Sequence, residues 1–362
     1  MTISPGGRLS RVSTSWDGRV VVAGDAIVDP NDLGFGSGTS SGAFESQAFV
    51  GFGGDFEMSS GTIRGSDAGI IDGRFSEANI GVWASRAQRV RISGGLIEGG
   101  SGAFGGFGSG LFSDAPAVFL DSVGDAVIDG GEFIGGCNLQ VDPFGTLIAG
   151  HSVMVQSGRL TINGGVFRGG DILAAVEGNA SDAVSGSAGL WVLNGGHVDI
   201  NGGDFTQGDF GEMTGDFFSS ITLWNGTINL RGGTLENFSL PQGGDLNVYA
   251  TAFEVDGTPI EFDGPIHVLS PQATTVTAHF VGQAPETFTI SEFTQGLISQ
   301  NELDAVLLNW GDGNPPDFAA IPEPATAAVL ALVAGLCRPR LRARGSNRRR
   351  ESDRPRLTRG RA

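Results

Sequence analysis

Apolar and polar positions recur along the middle of the chain in blocks. The ten-residue segments 49–58, 83–92, 119–128, 153–162, 191–200 and 221–230 align without a gap, at spacings of 34, 36, 34, 38 and 30 residues. Three aligned columns are apolar throughout. The first is Phe49, Trp83, Phe119, Val153, Trp191 and Ile221; the eighth is Phe56, Val90, Ala126, Leu160, Val198 and Ile228; the tenth is Met58, Ile92, Ile128, Ile162, Ile200 and Leu230. Between the last two lies a mostly polar column, Glu57, Arg91, Val127, Thr161, Asp199 and Asn229. This alternation predicts a half-buried β-strand at the end of each block, because successive side chains of a strand point to opposite faces.

Each block is followed by a bend signal: Ser59-Ser60-Gly61, Ser93-Gly94-Gly95, Asp129-Gly130-Gly131, Asn163-Gly164-Gly165, Asn201-Gly202-Gly203 and Arg231-Gly232-Gly233. Glycine there supplies the positive φ of a tight turn. A second short strand is expected next, with its own apolar column of Ile63, Ile97, Phe133, Phe167, Phe205 and Leu235. The segments between copies, such as 101–116, 137–150 and 171–188, vary in length and composition and read as loops on one side of the molecule. Loops of that kind are where ligand contacts concentrate.

Units of this length, built from short strands and glycine bends, predict an all-β fold in which coils stack into a parallel β-helix or β-solenoid. Helical repeats would need long apolar faces of period 3.6 free of Gly-Gly pairs. Propeller blades would need four alternating strands per unit of about 40–50 residues, for which there is no room. The columns, with a potential ladder at Asp129, Asn163 and Asn201 and a stack of Phe133, Phe167 and Phe205, resemble those of right-handed parallel β-helix proteins over roughly residues 49–240. In enzymes of that fold catalytic groups cluster on a strand face or in the loops beside it, and no residue here matches theirs one for one.

The predicted organisation outside the repeats is as follows. Residues 1–48 form an N-terminal cap or loosely ordered segment, and 49–246 the solenoid. Residues 247–290 form a β-rich cap, since Ala252–Gly257 and Thr275–Val281 alternate and an uncovered last coil leaves an open edge. Residues 291–320 form a helix and linker. There Gly296 to Asp304, followed by Ala305 to Trp310, resembles the second half of an EF-hand or dockerin calcium loop and its helix, with Glu302 at the twelfth loop position. Phe293 falls where a calcium ion needs an oxygen ligand, so the expectation is a metal-free remnant with Glu302 an ordinary first-turn acid.

Composition agrees with a repeat fold. The 61 Gly among 362 residues are more than twice the usual share of about 7%, without the every-third-residue spacing of collagen. There is no Lys, and eleven of the 22 Arg lie in residues 338–362 against only Glu351 and Asp353. That segment carries a formal +9, which leaves −27 on residues 1–337 of the −18 total. So acidic a body repels nucleic acid and anionic lipid.

Candidate chemistry is sparse. Cys137 and Cys337 do not make a disulfide framework. His151, His197, His267 and His279 are scattered, without partners at metal-ligand spacing, so no metal and no cofactor are expected. Gly102 to Gly108 does not join a strand to a helix, which argues against a phosphate cradle. Stacking could bring Asp129, Glu132, Asp199 and Asp204 together, and two carboxylates suffice for glycoside cleavage. With 40 acidic residues some pairing is inevitable, and solvated acids are the expectation. Asn179, Asn225 and Asn237 fit the N-glycosylation pattern, which also arises by chance.

The most specific motif lies near the C-terminus. Ile321-Pro322-Glu323-Pro324-Ala325-Thr326 opens an apolar run from Ala325 to Cys337, and Arg338-Pro339-Arg340-Leu341-Arg342 closes it. Pro-Glu-Pro, hydrophobic segment and basic cluster, in that order over residues 321–344, closely resemble the PEP-CTERM sorting signal. Its 13-residue run is short against the roughly 20 that span a bilayer, and an Arg-rich tail, 345–362, expected to be disordered, extends beyond the usual pattern.

The resemblance implies a hydrophobic sorting helix and a Gram-negative bacterial protein exported across the inner membrane. It would be held there by its C-terminus and processed by an exosortase near Pro322, Glu323 and Pro324. The signal's hosts typically make extracellular polysaccharide. Export also calls for a signal peptide, and Met1 to Val28 holds Arg8, Arg11 and Arg19 but no apolar core, so the true start is expected upstream. The expected function is therefore a non-enzymatic solenoid of the cell surface or extracellular matrix. The alternatives are a polysaccharide-binding or polysaccharide-cleaving β-helix protein and an adhesin-like module whose acidic loops bind Ca²⁺.

Overall fold

Parallel strand pairing carries the coil register from the first residues onward. The computed structural model describes residues 1–310 except 10, 15–16, 30–45, 68, 72–73, 77, 102–114, 138–146, 172–183, 186, 210–218, 240–243, 260–266, 270–273, 292–294 and 300–304. Within them the chain is all-β, with no helix among the described residues. Each coil gives one strand to each of three sheets. In the middle of the molecule these are Gly158–Ile162 in the first sheet, Val166–Arg168 in the second and Leu190–Leu193 in the third.

Inward residues of the three strands fill the solenoid as the sequence columns predict. Leu160, Ile162 and Phe167 are fully buried, as are Val90, Val198 and Ile228 in the coils above and below. Phe133, Phe167 and Phe205 stack face to face inside the second sheet, with centroids 4.9 and 4.6 Å apart and planes within 4° and 8°. Asp129, Asn163 and Asn201 form the expected ladder at the bend, Asn163 donating to Asp129 at 2.7 Å and Asn201 to Asn163 at 2.9 Å. The bend itself is made by a glycine at positive φ, 123° at Gly165.

One column differs from the expectation. Phe49, Trp83 and Phe119 lie side by side in the third sheet, but the next partner of Phe119 is Met154, not Val153, and Trp191 pairs with Thr222, not Ile221. Val153 and Ile221 point inward, whereas the aromatic residues point out. Two turns between the third and first sheets are one residue shorter than their neighbours: Met154 to Leu160 and Thr222 to Ile228 span six residues, where Trp191 to Val198 spans seven. A one-residue slip moves a strand residue to the opposite face, so a gapless alignment mixed two faces in its first column.

The sheets also extend past both limits of the sequence repeat. Thr2–Ile3 pairs in parallel with Arg19–Val22, which pairs with Asp55–Met58; Arg8–Leu9 and Val12–Thr14 begin the other two sheets. Coiling therefore starts well inside the segment expected to be a cap or loosely ordered. At the other end Thr227–Leu230 pairs in parallel with Gly244–Tyr249. These end coils escape the pattern because they are short: Thr2 meets Val21 and Ile228 meets Leu246, 19 and 18 residues on. The 30–38-residue unit is this minimal coil plus an inserted loop.

Beyond residue 250 pairing is mostly antiparallel. Thr274–His279 lies between Ala252–Val255 and Glu286–Ser291, and the last of these continues the third sheet beside Asn237–Ser239. Gln295–Ser299 and Ala305–Trp310, expected as half a calcium loop and its helix, are paired strands. Ala305–Trp310 runs antiparallel along Gly244–Tyr249, whose open edge offers hydrogen bonds that a helix of six residues could not match. Glu302 lies outside the described residues.

Candidate functional site

Every long insertion leaves the solenoid at the same corner. Six successive coils carry extra chain between their second-sheet and third-sheet strands: 29–45, 65–79, 99–117, 135–152, 169–189 and 207–220. The other two corners are tight. One holds the glycine bend, and the other a short turn in which Arg86, Ser122, Asn194 and Asn225 take positive φ.

At the loop corner the chain leaves and returns through a narrow neck. Gly170 donates its N–H to Gly150 and Gly150 donates to Gly136, so backbones lie against one another. A Cβ on Gly170 would stand 2.0 Å from the carbonyl oxygen of Gly136, which only glycine avoids. Just past the necks, side chains brace the next coil: Asp67 accepts from Ser101 N–H, Ser101 Oγ from Cys137 N–H, and Asp171 from Asp209 N–H. Cys137 is thereby a member of a column. It is a free, partly buried thiol.

Beside this corner the outer face of the third sheet carries the outward aromatic row. Phe49 meets Trp83 edge-on at 5.3 Å, Trp83 lies 6.1 Å from Phe119, and Trp191 lies 6.3 Å from Trp224. The middle of the row is sealed in a second apolar cluster of Ile80, Ala115, Phe119 and Met154, against which Trp83, Trp191 and Leu193 pack. Phe49, Trp83, Trp191 and Trp224 remain partly exposed. His151 stands at the base of the 135–152 loop, its ring 4.4 Å from Trp191 and its Nδ1 accepting from Ala188 N–H at 2.9 Å. Burial pushes its pKa down to about 3, so the ring is neutral. Along the adjoining turn Asp121 accepts from Ser85, Ser122 and Ser157 at 2.9–3.3 Å.

The outer face of the first sheet is internally paired. Arg19 bridges to Glu57, Arg89 to Asp55 and Glu57, and Arg91 to Asp125. Further along, Asp199 accepts from Asn229 at 2.8 Å and Arg231 at 3.3 Å, with Arg159 and His197 each 3.5 Å away. Burial works to raise the pKa of Asp199, but Asn229, His197, Arg231 and Arg159 together hold it below the ordinary value. A carboxylate so fully engaged is a structural anchor and a poor proton acceptor.

The four acids named as candidates for a stacked pair fall in three places. Asp199 faces out from the first sheet and Asp129 belongs to the bend ladder; Glu132 and Asp204 lie on the second sheet, separated by the strand that carries Val166. His197 sits on the first sheet and His279 bonds Glu254 at 3.3 Å. No group of three or more His, Cys, Asp or Glu able to hold a metal occurs among the described residues. Sequence reasoning missed His151 and the outward placement of the aromatic row, whose register depends on turn lengths.

Pro322, Glu323, Pro324, Ala325, Arg338, Arg340 and Arg342 lie outside the described residues, as does all of 321–344. Among the described residues no helix is long and apolar enough to cross a membrane. The chain matches no known family, no curated protein and no solved structure.

Proposed function

We propose that the chain is an exported, non-enzymatic β-solenoid of the cell surface or extracellular matrix that displays a row of loops and is sorted through its C-terminus. The observation that carries this reading is the shared exit of six successive loops from one corner of a stacked coil. The charged side chains on the face of the first sheet are engaged in ion pairs with one another, which leaves the loop corner and the face beside it to meet partners. In this reading the antiparallel strands from Ala252 onward cap the last coil. Ala325 to Cys337 forms the sorting helix, held transiently in the inner membrane with Arg338, Arg340 and Arg342 on its cytoplasmic side. An exosortase would recognise Pro322-Glu323-Pro324, and the acidic body would then be released to the surface.

Fractionation of a bacterium that carries an exosortase, expressing the chain behind an export signal peptide, tests this. The wild type is expected to be shortened and to leave the inner membrane, while Glu323→Gln accumulates uncut in the membrane fraction. Deletion of 325–344 should give a form that never enters that fraction. Identical size and distribution of all three proteins would refute the sorting role.

A further inference from the structure

We infer that alternating charge on the outer faces of the first and second sheets sets which coil lies beside which, and so fixes the order of the loops in their row. This goes beyond the surface-display reading and stands whatever the loops meet. At one outward position of the first sheet, successive coils carry Arg19, Asp55, Arg89, Asp125 and Arg159. Arg19 is in register with Asp55, Asp55 with Arg89 and Arg89 with Asp125, while Asp125 and Arg159 directly precede the paired Ala126 and Leu160. The sign changes at every step. The second sheet does the same in its own column: Asp29 and Arg64 directly follow the paired Val28 and Ile63, and Arg64 is in register with Glu98.

The interior cannot make this distinction. Val90, Leu160 and Val198 fill one buried position of their coils, and Ile92, Ile128, Ile162 and Ile200 fill the next. If one coil were looped out during folding, the coil before it could seat on the coil after it with every core position matched. The entropy of closing the longer loop rises only slowly with its length, so chain connectivity opposes the error weakly.

Outward charge opposes it directly. Skipping one coil would set Arg19 beside Arg89, Asp55 beside Asp125 and Arg89 beside Arg159 on the first sheet, and Asp29 beside Glu98 on the second. Like charges directly opposite on neighbouring strands are destabilising. Correct neighbours are instead paired: Arg89 reaches Asp55 at 2.8 Å, Arg91 reaches Asp125 at 2.5 Å, and Arg64 bridges Glu98 and, at 3.7 Å, Asp29. An exposed ion pair contributes little alone. Selection comes from the change between attraction and repulsion, which both sheets apply to the same error. The alternation spans the first five coils; past Arg159 the position passes to His197 and Thr227, beside the hydrogen-bonded row of Asp199, Asn229 and Asn247.

Excision of residues 59–92 tests the inference. Met58 and Ile92 occupy the same position in adjacent coils, so the cut removes one coil with the core register intact. It brings Glu98 beside Asp29, where Arg64 stood. Glu98→Gln is therefore expected to raise the melting temperature of the excised chain and to lower that of the full chain, by roughly 1–3 °C in each direction. The gain in the excised chain should shrink as sodium chloride is added. A shift of the same sign in both chains would overturn the inference. A second measurement uses the full chain with Asp55→Asn, Arg64→Gln, Arg89→Gln, Glu98→Gln and Asp125→Asn combined. After refolding from urea, hydrogen exchange followed by mass spectrometry is expected to show two populations, one of them with a single coil unprotected, whereas the wild type gives one. One fully protected population in the neutralised chain would equally overturn the inference. If the excised chain does not fold with either residue at position 98, the exchange pattern decides; if the neutralised chain does not fold, the sign of the Glu98→Gln shift decides. Each outcome leaves the sorting reading standing.

Discussion

His151 is sealed against Trp191 with its Nδ1 committed to Ala188 N–H, and so its proton resides on Nε2. Charging the ring would place an imidazolium in an apolar setting, which is why burial takes its pKa from 6.5 to about 3. Because the folded value lies below the unfolded one, the stabilisation is complete above about pH 6.5 and is lost as pH falls toward 3. Asp199 behaves differently in its window: its folded pKa is depressed, so its contribution holds above about pH 4 and fades only below that. The melting temperature should therefore fall between pH 6.5 and 4. In His151→Gln, which keeps an acceptor for Ala188, melting at pH 7 should be lower and the slope over that interval shallower. An unchanged slope would assign the acid sensitivity to other groups. Nothing near His151 in the sequence announces this role, since Ala188 lies 37 residues away and only stacking joins them.

At the level of strands and corners, legibility followed contact range. The strand ending each block and the phenylalanine stack could be read because alternation is local and inward positions of successive coils are chemically alike. The Asp129, Asn163 and Asn201 ladder was equally legible, since a fixed bend repeats its geometry. Turn length between the third and first sheets was not legible, and one missing residue hid the outward aromatic row. The loop necks were hidden as well, because Gly169-Gly170 resembles the bend pair Gly164-Gly165 in sequence although its constraint is different. Gly165 is required for its φ of 123°, whereas Gly170 is required because a Cβ would meet backbone at 2.0 Å. Urea denaturation should rank the two. Gly165→Ala is expected to cost roughly 1–2 kcal/mol from backbone strain. Gly170→Ala should cost about 3 kcal/mol or more, since two coils must separate. Equal losses would show that the neck can open without disturbing the stack.

For the whole molecule, stability should be close to a sum over coils and their interfaces, because each coil touches only its neighbours. Ile128 and Ile162 occupy the same position in adjacent coils. Deleting residues 129–162 therefore joins Ile128 to Asn163 with the register intact, and brings Ala126 beside Val198 and Phe167 beside Ile97. The shortened chain is expected to remain β-rich by circular dichroism and to melt cooperatively at a somewhat lower temperature, with five loops in its row. Deleting 129–161 instead leaves Ile162 in the place of Asp129 and moves the bend by one residue, which turns core side chains toward water. That variant should aggregate or lack a cooperative transition. Two folded products would mean that the coils tolerate slippage, and two unfolded ones would mean that the loop removed with this coil holds the stack together. The contrast isolates register, since the two deletions differ by a single isoleucine while sharing the lost loop, the lost His151 and the lost interface.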